Sequence, residues 1–100
     1  MQFLYVIGPE KGKGYQKIGF SQNVEKRLSS IQTGNPQRLK IHYKHEVPKE
    51  KVRLLEKKIH ENVKTQKVSG EWFDLTPEEA RAEVDFIIIR WADDDSLGRV

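Results

Sequence analysis

Gln2-Phe3-Leu4-Tyr5-Val6-Ile7, then Gly8-Pro9-Glu10-Lys11-Gly12-Lys13-Gly14, then Tyr15-Gln16-Lys17-Ile18-Gly19-Phe20: this opening stretch decides the fold. Its first part is β-branched and aromatic and reads as a strand. Glycine and proline make the middle a turn, and the last part returns as a second strand, so the chain opens with a β-hairpin. Gly12-Lys13-Gly14 has some of the look of a phosphate-binding loop, but the following Lys-Ser/Thr pair and the spacing are missing. Working outward, Ser21 or Asn23 can cap a helix to about Thr33 with Val24, Leu28 and Ile31 on one face, and Gly34-Asn35-Pro36 stops it. Leu39 to Val47 alternates loosely and reads as a third strand. Pro48 suits the first turn of a long helix to about Thr65, with an apolar stripe at Val52, Leu55, Ile59 and Val63.

Ser69-Gly70 breaks that helix, and Glu71 to Leu75 reads as a short strand or extended segment. Thr76-Pro77-Glu78-Glu79 is a helix start, with threonine as cap, proline in the first position and Glu79 completing a capping box. The closing helix would bury Ala80, Val84, Ile87, Ile88 and Trp91. Phe86-Ile87-Ile88-Ile89 is β-branched enough for a strand, but the cap and the charges before it favour helix. The expected fold is α+β, a small three-stranded antiparallel sheet flanked by helices, spanning 1–92 and followed by an acidic tail over 93–100.

The 100 residues suit one domain, and 36% hydrophobic with 33% charged residues describes a folded, charge-rich chain. Cysteine is absent, which excludes disulfides and thiolate zinc sites and makes a cytoplasmic setting the simpler expectation. No apolar run approaches a membrane span, and the Met1-Gln2-Phe3 start lacks a signal-peptide pattern. The net charge of +3 conceals an asymmetry, because fifteen Lys or Arg face six Asp or Glu over residues 1–70 and three face nine over 71–100. A basic body suits a polyanion, whose counterions are released on binding.

Four side chains carry chemistry in this layout: Tyr5 on the first strand, Lys17 on the second, Arg27 one turn into the first helix and Glu56 on the second. A tyrosine, a lysine, an arginine and a carboxylate in that order suit metal-assisted cleavage of a phosphodiester. The pattern resembles the GIY-YIG nuclease superfamily, with Phe3-Leu4-Tyr5 where that family has Gly-Ile-Tyr and Lys17-Ile18-Gly19 where it has Tyr-Ile-Gly. The similarity extends through Glu71-Trp72-Phe73. It looks closest to the phage-type branch often labelled a DNA-binding domain, in which Lys-Ile-Gly replaces Tyr-Ile-Gly.

The resemblance implies that Tyr5 acts as general base on the attacking water, directly or through a second water. A free phenol titrates near about 10 and needs a nearby cation to serve at neutral pH; Lys17, on the partner strand, is expected to supply that field. Lys17 can hold a phosphate oxygen but cannot act as a phenolic acid or base. Tyr15, expected on the same face of the strand, either substitutes in part or only packs. Gly19 either permits close backbone approach or marks the strand-to-helix transition. Arg27 reads as a bidentate phosphate ligand or, more blandly, as a surface arginine. The family often has a His or Tyr one turn later, where this chain has Ser30-Ile31-Gln32.

Glu56 borders the buried stripe of its helix and is the candidate ligand for one Mg²⁺ or Mn²⁺, with phosphate and waters completing the shell. The bland alternative pairs it with His60, Arg53 or Lys57. His60 either faces the same cleft as an auxiliary group or covers the core edge. Arg38, ending the polar loop that starts at Thr33, and Lys40 join Lys17 and Arg27 as candidate nucleic-acid contacts. Trp72 and Phe73 read as core.

The leading expectation is a divalent-metal-dependent DNA endonuclease, with a catalytically silent nucleic-acid-binding domain of the same fold as the alternative. A third expectation is a weak homodimer or protein partner through the closing helix, where Phe86 and Ile89 fall off the main face.

Overall fold

A hairpin does form at the start of the chain, and it becomes the centre of the sheet. The computed structural model describes residues 1–11 and 14–92; the hairpin tip at Gly12-Lys13 and the expected acidic tail lie outside the described residues. Strands β1 (Gln2–Pro9) and β2 (Gln16–Ser21) pair antiparallel with Tyr5 opposite Gly19 and Ile7 opposite Lys17. Helix α1 (Val24–Gln32) follows, then strand β3 (Leu39–Val47) on the far side of β1 and helix α2 (Lys49–Asn62). A 3₁₀ turn at Lys64–Gln66 leads to β4 (Lys67–Ser69), β5 (Trp72–Phe73) and helix α3 (Pro77–Ala92). Among the described residues the sheet order is β3-β1-β2-β5-β4, antiparallel throughout.

Side chains alternate across a strand, and here both sides of the sheet are covered. Leu4, Val6 and Ile18 pack beneath α2 and α3, against Val52, Leu55, Ile59, Val84 and Ile87. Tyr5 and Ile7 point to the other face, where Val24 of α1 and Leu39 close over them. β1 is therefore buried on both faces, which is why Leu4 to Ile7 is a continuous apolar run with no polar residue but a tyrosine hydroxyl.

The α+β class holds, but the sheet has five strands where the sequence pointed to three. The extra width is the small β4–β5 hairpin, which turns at Gly70 with φ +54°, a conformation that favours glycine. Ser69-Gly70 thus turns a hairpin besides following a helix. α2 also stops at Asn62 instead of near Thr65, because the chain tightens into the 3₁₀ turn with Gln66 N donating to Val63 O at 2.9 Å.

The caps are as the residue types demand. Asn23 Oδ1 accepts from Lys26 N at 3.0 Å to start α1. At α3, Glu79 N donates to Thr76 Oγ1 (3.0 Å) while Thr76 N donates to Glu79 Oε1 (2.8 Å), a reciprocal box. The run Phe86-Ile87-Ile88-Ile89 is helical, with Ile87 and Ile88 buried and Phe86 and Ile89 exposed.

α3 is fastened to the edge strand by a polar clasp. The Tyr43 hydroxyl donates to Asp85 Oδ1 at 2.5 Å, and the Arg81 guanidinium lies 4.4 Å from the Tyr43 ring centre with Nε 3.6 Å from Asp85 Oδ2. Burial and the Asp85 carboxylate push the Tyr43 phenol up to about 12. No helix among the described residues is long and apolar enough to cross a membrane.

Replacing Thr76 removes one half of the α3 box, so Thr76→Ala is expected to lose about 1 kcal/mol of stability. Urea unfolding measures this directly; an unchanged midpoint would mean that α3 is held by its apolar face alone.

Candidate active site

Tyr5 is wholly buried, and its hydroxyl has no hydrogen-bond partner. Buried hydroxyls nearly always find one, so an orphan here is informative. The ring can lie across β2 only because residue 19 has no side chain. A Cβ there would sit 2.7 Å from Tyr5 Oη and 2.9 Å from Glu71 Oε1. Gly19 therefore makes the space in which a phenol and a carboxylate meet, and its role is close approach.

Glu71 is the group that sequence reasoning missed. Glu71 O accepts from Ile18 N at 3.1 Å, which sets the segment before β5 alongside β2. Its Oε1 lies 3.3 Å from Lys17 Nζ, and Lys17 also rests over the Trp72 ring at 5.6 Å. The expectation that Lys17 pulls the Tyr5 phenol down is corrected by this pairing. The phenol is instead pushed up to about 12, first by burial and next by the Glu71 charge; Arg27 pulls the other way and Glu56 adds to the rise. The engaged ammonium is balanced by its own partner, so the net field at the phenol is negative.

Glu56 reaches the same place from α2. Its carboxyl is held up at about 7 by burial, then by the charge of Glu71 and a hydrogen bond with it, while Lys17 and Arg53 oppose the shift. One oxygen, Oε2, is buried with no donor. The two statements describe one pair: carboxyls hydrogen-bond to each other only with a proton between them, and when both are ionised an oxygen is left without a partner. Among the described residues Glu56 has no ion pair with Arg53, Lys57 or His60.

The sheet edge explains how α2 contributes to a site on the α1 face. On β2, β5 pairs only with Gln16 and Lys17, so among the described residues the side of β2 away from β1 has no strand beside it from Ile18 onward. His60 covers this edge: its Nε2 donates to Ile18 O at 2.9 Å, and its ring tilts on Phe73 at 5.0 Å. The Nε2 of His60 is thus committed to backbone, and the residue positions α2, with Glu56 one turn earlier, against β2.

Arg27 is exposed on α1 and lines a hollow of about 690 Å³ with Lys26, Asn23, Phe20 and Ser21, close enough to act on the Tyr5 phenol. Tyr5, Lys17, Gly19, Arg27, Glu56 and Glu71 therefore surround one edge of β2. Other candidates lie elsewhere. Tyr15 precedes β2, is exposed and lines a separate hollow with Asp74 to Glu79, so it does not share the face of Lys17. Arg38 Nε is 3.1 Å from Glu10 Oε2, and Lys40 pairs with Gly8 at the far end of β1. Phe73 is core and Trp72 half-buried. No cluster of three or more His, Cys, Asp or Glu side chains converges among the described residues; Glu56 and Glu71 are a pair.

The fold and these groups define a small α+β domain with a phenol, two carboxyls, a lysine and an arginine gathered at a sheet edge. The chain matches the T5orf172 domain family over residues 2–91 and belongs to it, a phage-associated domain related to nuclease-like folds. No curated protein and no solved structure matches it.

Two outcomes follow from this geometry. Gly19→Ala is expected to destabilise by about 1–3 kcal/mol through overpacking, and Tyr5→Phe, which removes the orphaned hydroxyl, should relieve part of that loss in the double variant. Additive effects in thermal melts would refute the close approach. Glu56 retains a proton in the fold that the unfolded chain releases from 4.5 upward, so its contribution falls as pH rises toward about 7 and is fully unfavourable above it. Glu56→Gln should therefore raise the melting temperature more at about pH 8 than at about pH 5, by a few degrees at roughly 4–8 °C per kcal/mol.

Proposed function

We propose that this protein is a GIY-YIG-type endonuclease that cleaves DNA phosphodiesters with a divalent ion and a Tyr5-activated water. One observation carries the reading: an orphaned buried phenol is gathered with two carboxyls, a lysine and an arginine at one edge of β2. Glu56 and Glu71 are a fitting donor pair for a single Mg²⁺ or Mn²⁺, since they are adjacent carboxyls with one buried oxygen lacking any donor, and phosphate and water oxygens complete such shells. When bound, the ion neutralises charge on the phosphate and the leaving oxygen.

The chain's own groups supply the rest. Burial holds the phenol neutral and the Glu71 and Glu56 charges add to this, while Arg27 is the charge that favours the phenolate. Arg27 presents a planar fork for two phosphate oxygens. Lys17, 3.3 Å from Glu71 Oε1, would add a second positive contact to phosphate. Gly19 keeps the space between phenol and carboxylate free for the reacting atoms. A catalytically silent nucleic-acid-binding domain is the second reading, favoured by the engagement of Lys17 with Glu71 and by the absence of a second tyrosine there.

Plasmid nicking tests the choice. Native protein with Mg²⁺ or Mn²⁺ is expected to nick, and chelation to stop it. Tyr5→Phe, Arg27→Ala and Glu56→Ala should each lower the rate about 10²-fold or more, while Tyr5→Phe keeps the melting temperature. The rate should climb with pH through about 7 as Glu56 gives up its proton. Salt-sensitive binding by native protein without any nicking would replace the enzyme with the silent binder.

A further inference from the structure

A second hollow, of about 360 Å³, has Glu56 and His60 in its wall and Phe73 beside them. Three lysines converge on it from three different elements: Lys57 from α2, Lys64 from the 3₁₀ turn and Lys67 from β4. Two local bonds bring the last two there, Gln66 N to Val63 O at 2.9 Å and Asp74 N to Gln66 O at 2.7 Å, which fold the turn and β4 back onto the end of α2. All three side chains are exposed. Among the described residues none of them has an ion pair, whereas Lys17, Arg38, Lys44 and Arg81 each hold a carboxylate. Glu61 is the other acid of the hollow. Three lysines against the two acids Glu56 and Glu61 leave the hollow positive in balance.

The placement gives these charges a direction. Arg27 and Glu56 both act on the Tyr5 phenol, and each lines a different hollow. A nucleic-acid strand carries a phosphate on every nucleotide, so a strand with one phosphate at the pocket presents its neighbours to both sides. We infer that Lys57, Lys64 and Lys67 form a phosphate-binding subsite for the strand flanking the scissile phosphate, so that the strand runs from the Arg27–Lys26 hollow across Tyr5 into the lysine hollow. The inference rests on the nucleic-acid substrate proposed above. It adds residues outside the catalytic group and gives the strand a path. Arg38 and Lys40, at the Pro9 end of β1, lie off that path.

Fluorescence anisotropy of a labelled oligonucleotide duplex, in EDTA so that cleavage plays no part, measures the subsite. The native chain is compared with Lys57→Gln/Lys64→Gln/Lys67→Gln and with Arg38→Gln/Lys40→Gln across a salt series. The triple variant is expected to bind at least about tenfold more weakly and to lose about 2–3 from the slope of log affinity against log salt, near 0.9 for each phosphate contact removed. The double variant should keep the native slope to within about one contact. Lysine acetylation of the unmutated chain supplies a readout independent of variant folding: the duplex should protect Lys57, Lys64 and Lys67 and leave Lys40 reactive. Equal loss per charge in the two variants, or acetylation of the three lysines undiminished by duplex, overturns the subsite. Absence of any binding by the native chain overturns it together with the nucleic-acid substrate, whereas binding without nicking leaves the subsite standing and removes only the enzyme.

Discussion

The backbone of one residue, Ile18, holds the candidate site together. Ile18 N donates to Glu71 O, and Ile18 O accepts from His60 Nε2. Its side chain meanwhile sits in the core with Leu4 and Val6. Two segments far apart in sequence, α2 and the stretch leading to β5, are thereby locked to the same residue of β2. Glu56 and Glu71 arrive as a pair because their carriers share that anchor, and Lys17 and Gly19 flank it on either side. An unmet carbonyl at a buried edge is costly, so the histidine serves the fold and the site through a single bond.

The electrostatics of the pocket run against its packing. Burial alone would disfavour any charge there, yet two carboxyls, an ammonium and a phenol are gathered at one place. The fold tolerates this by keeping the phenol neutral, by holding the Glu56 carboxyl up through burial and by pairing Lys17 with Glu71. Structural polar clusters look different: the Tyr43, Asp85 and Arg81 clasp has a partner for its hydroxyl, and nothing comparable is left open in it.

Local signals made much of the fold legible. The glycine-rich turn between two β-prone runs, the Asn23 cap, the Thr76 to Glu79 box and the stripe at Val52, Leu55, Ile59 and Val63 each dictate structure within a few residues of themselves. β4 was hidden because Lys67-Val68-Ser69 has too little apolar character, and its hairpin depends on pairing with β5. Tyr5, Lys17, Arg27 and Glu56 were named from their order along the chain, and the structure sets them around one edge of β2. What that order could not convey was the sign of the field at Tyr5. Glu71 opens an aromatic segment and reads as a surface acid, and only the Ile18 bond turns it inward. A carboxylate directly after a Ser-Gly turn and before Trp-Phe, at the point where a basic chain becomes acidic, was the available hint. Tyr15 shows the opposite error, since strand alternation was applied one residue beyond where β2 begins.

The brevity of β5 has an implication for how such a domain can change. Only Trp72 and Phe73 belong to it, and beyond Lys17 the side of β2 away from β1 has no paired strand among the described residues. Were the small hairpin extended by another rung, backbone groups would occupy the gap now bridged by an imidazole, and the sheet would become more regular. The same lengthening would shut α2 out of the α1 face. Continuity of the sheet and access for the second layer are mutually exclusive at this margin, so the length of one strand acts as a dial between a more regular sheet and the meeting of Glu56 with Glu71 and Tyr5.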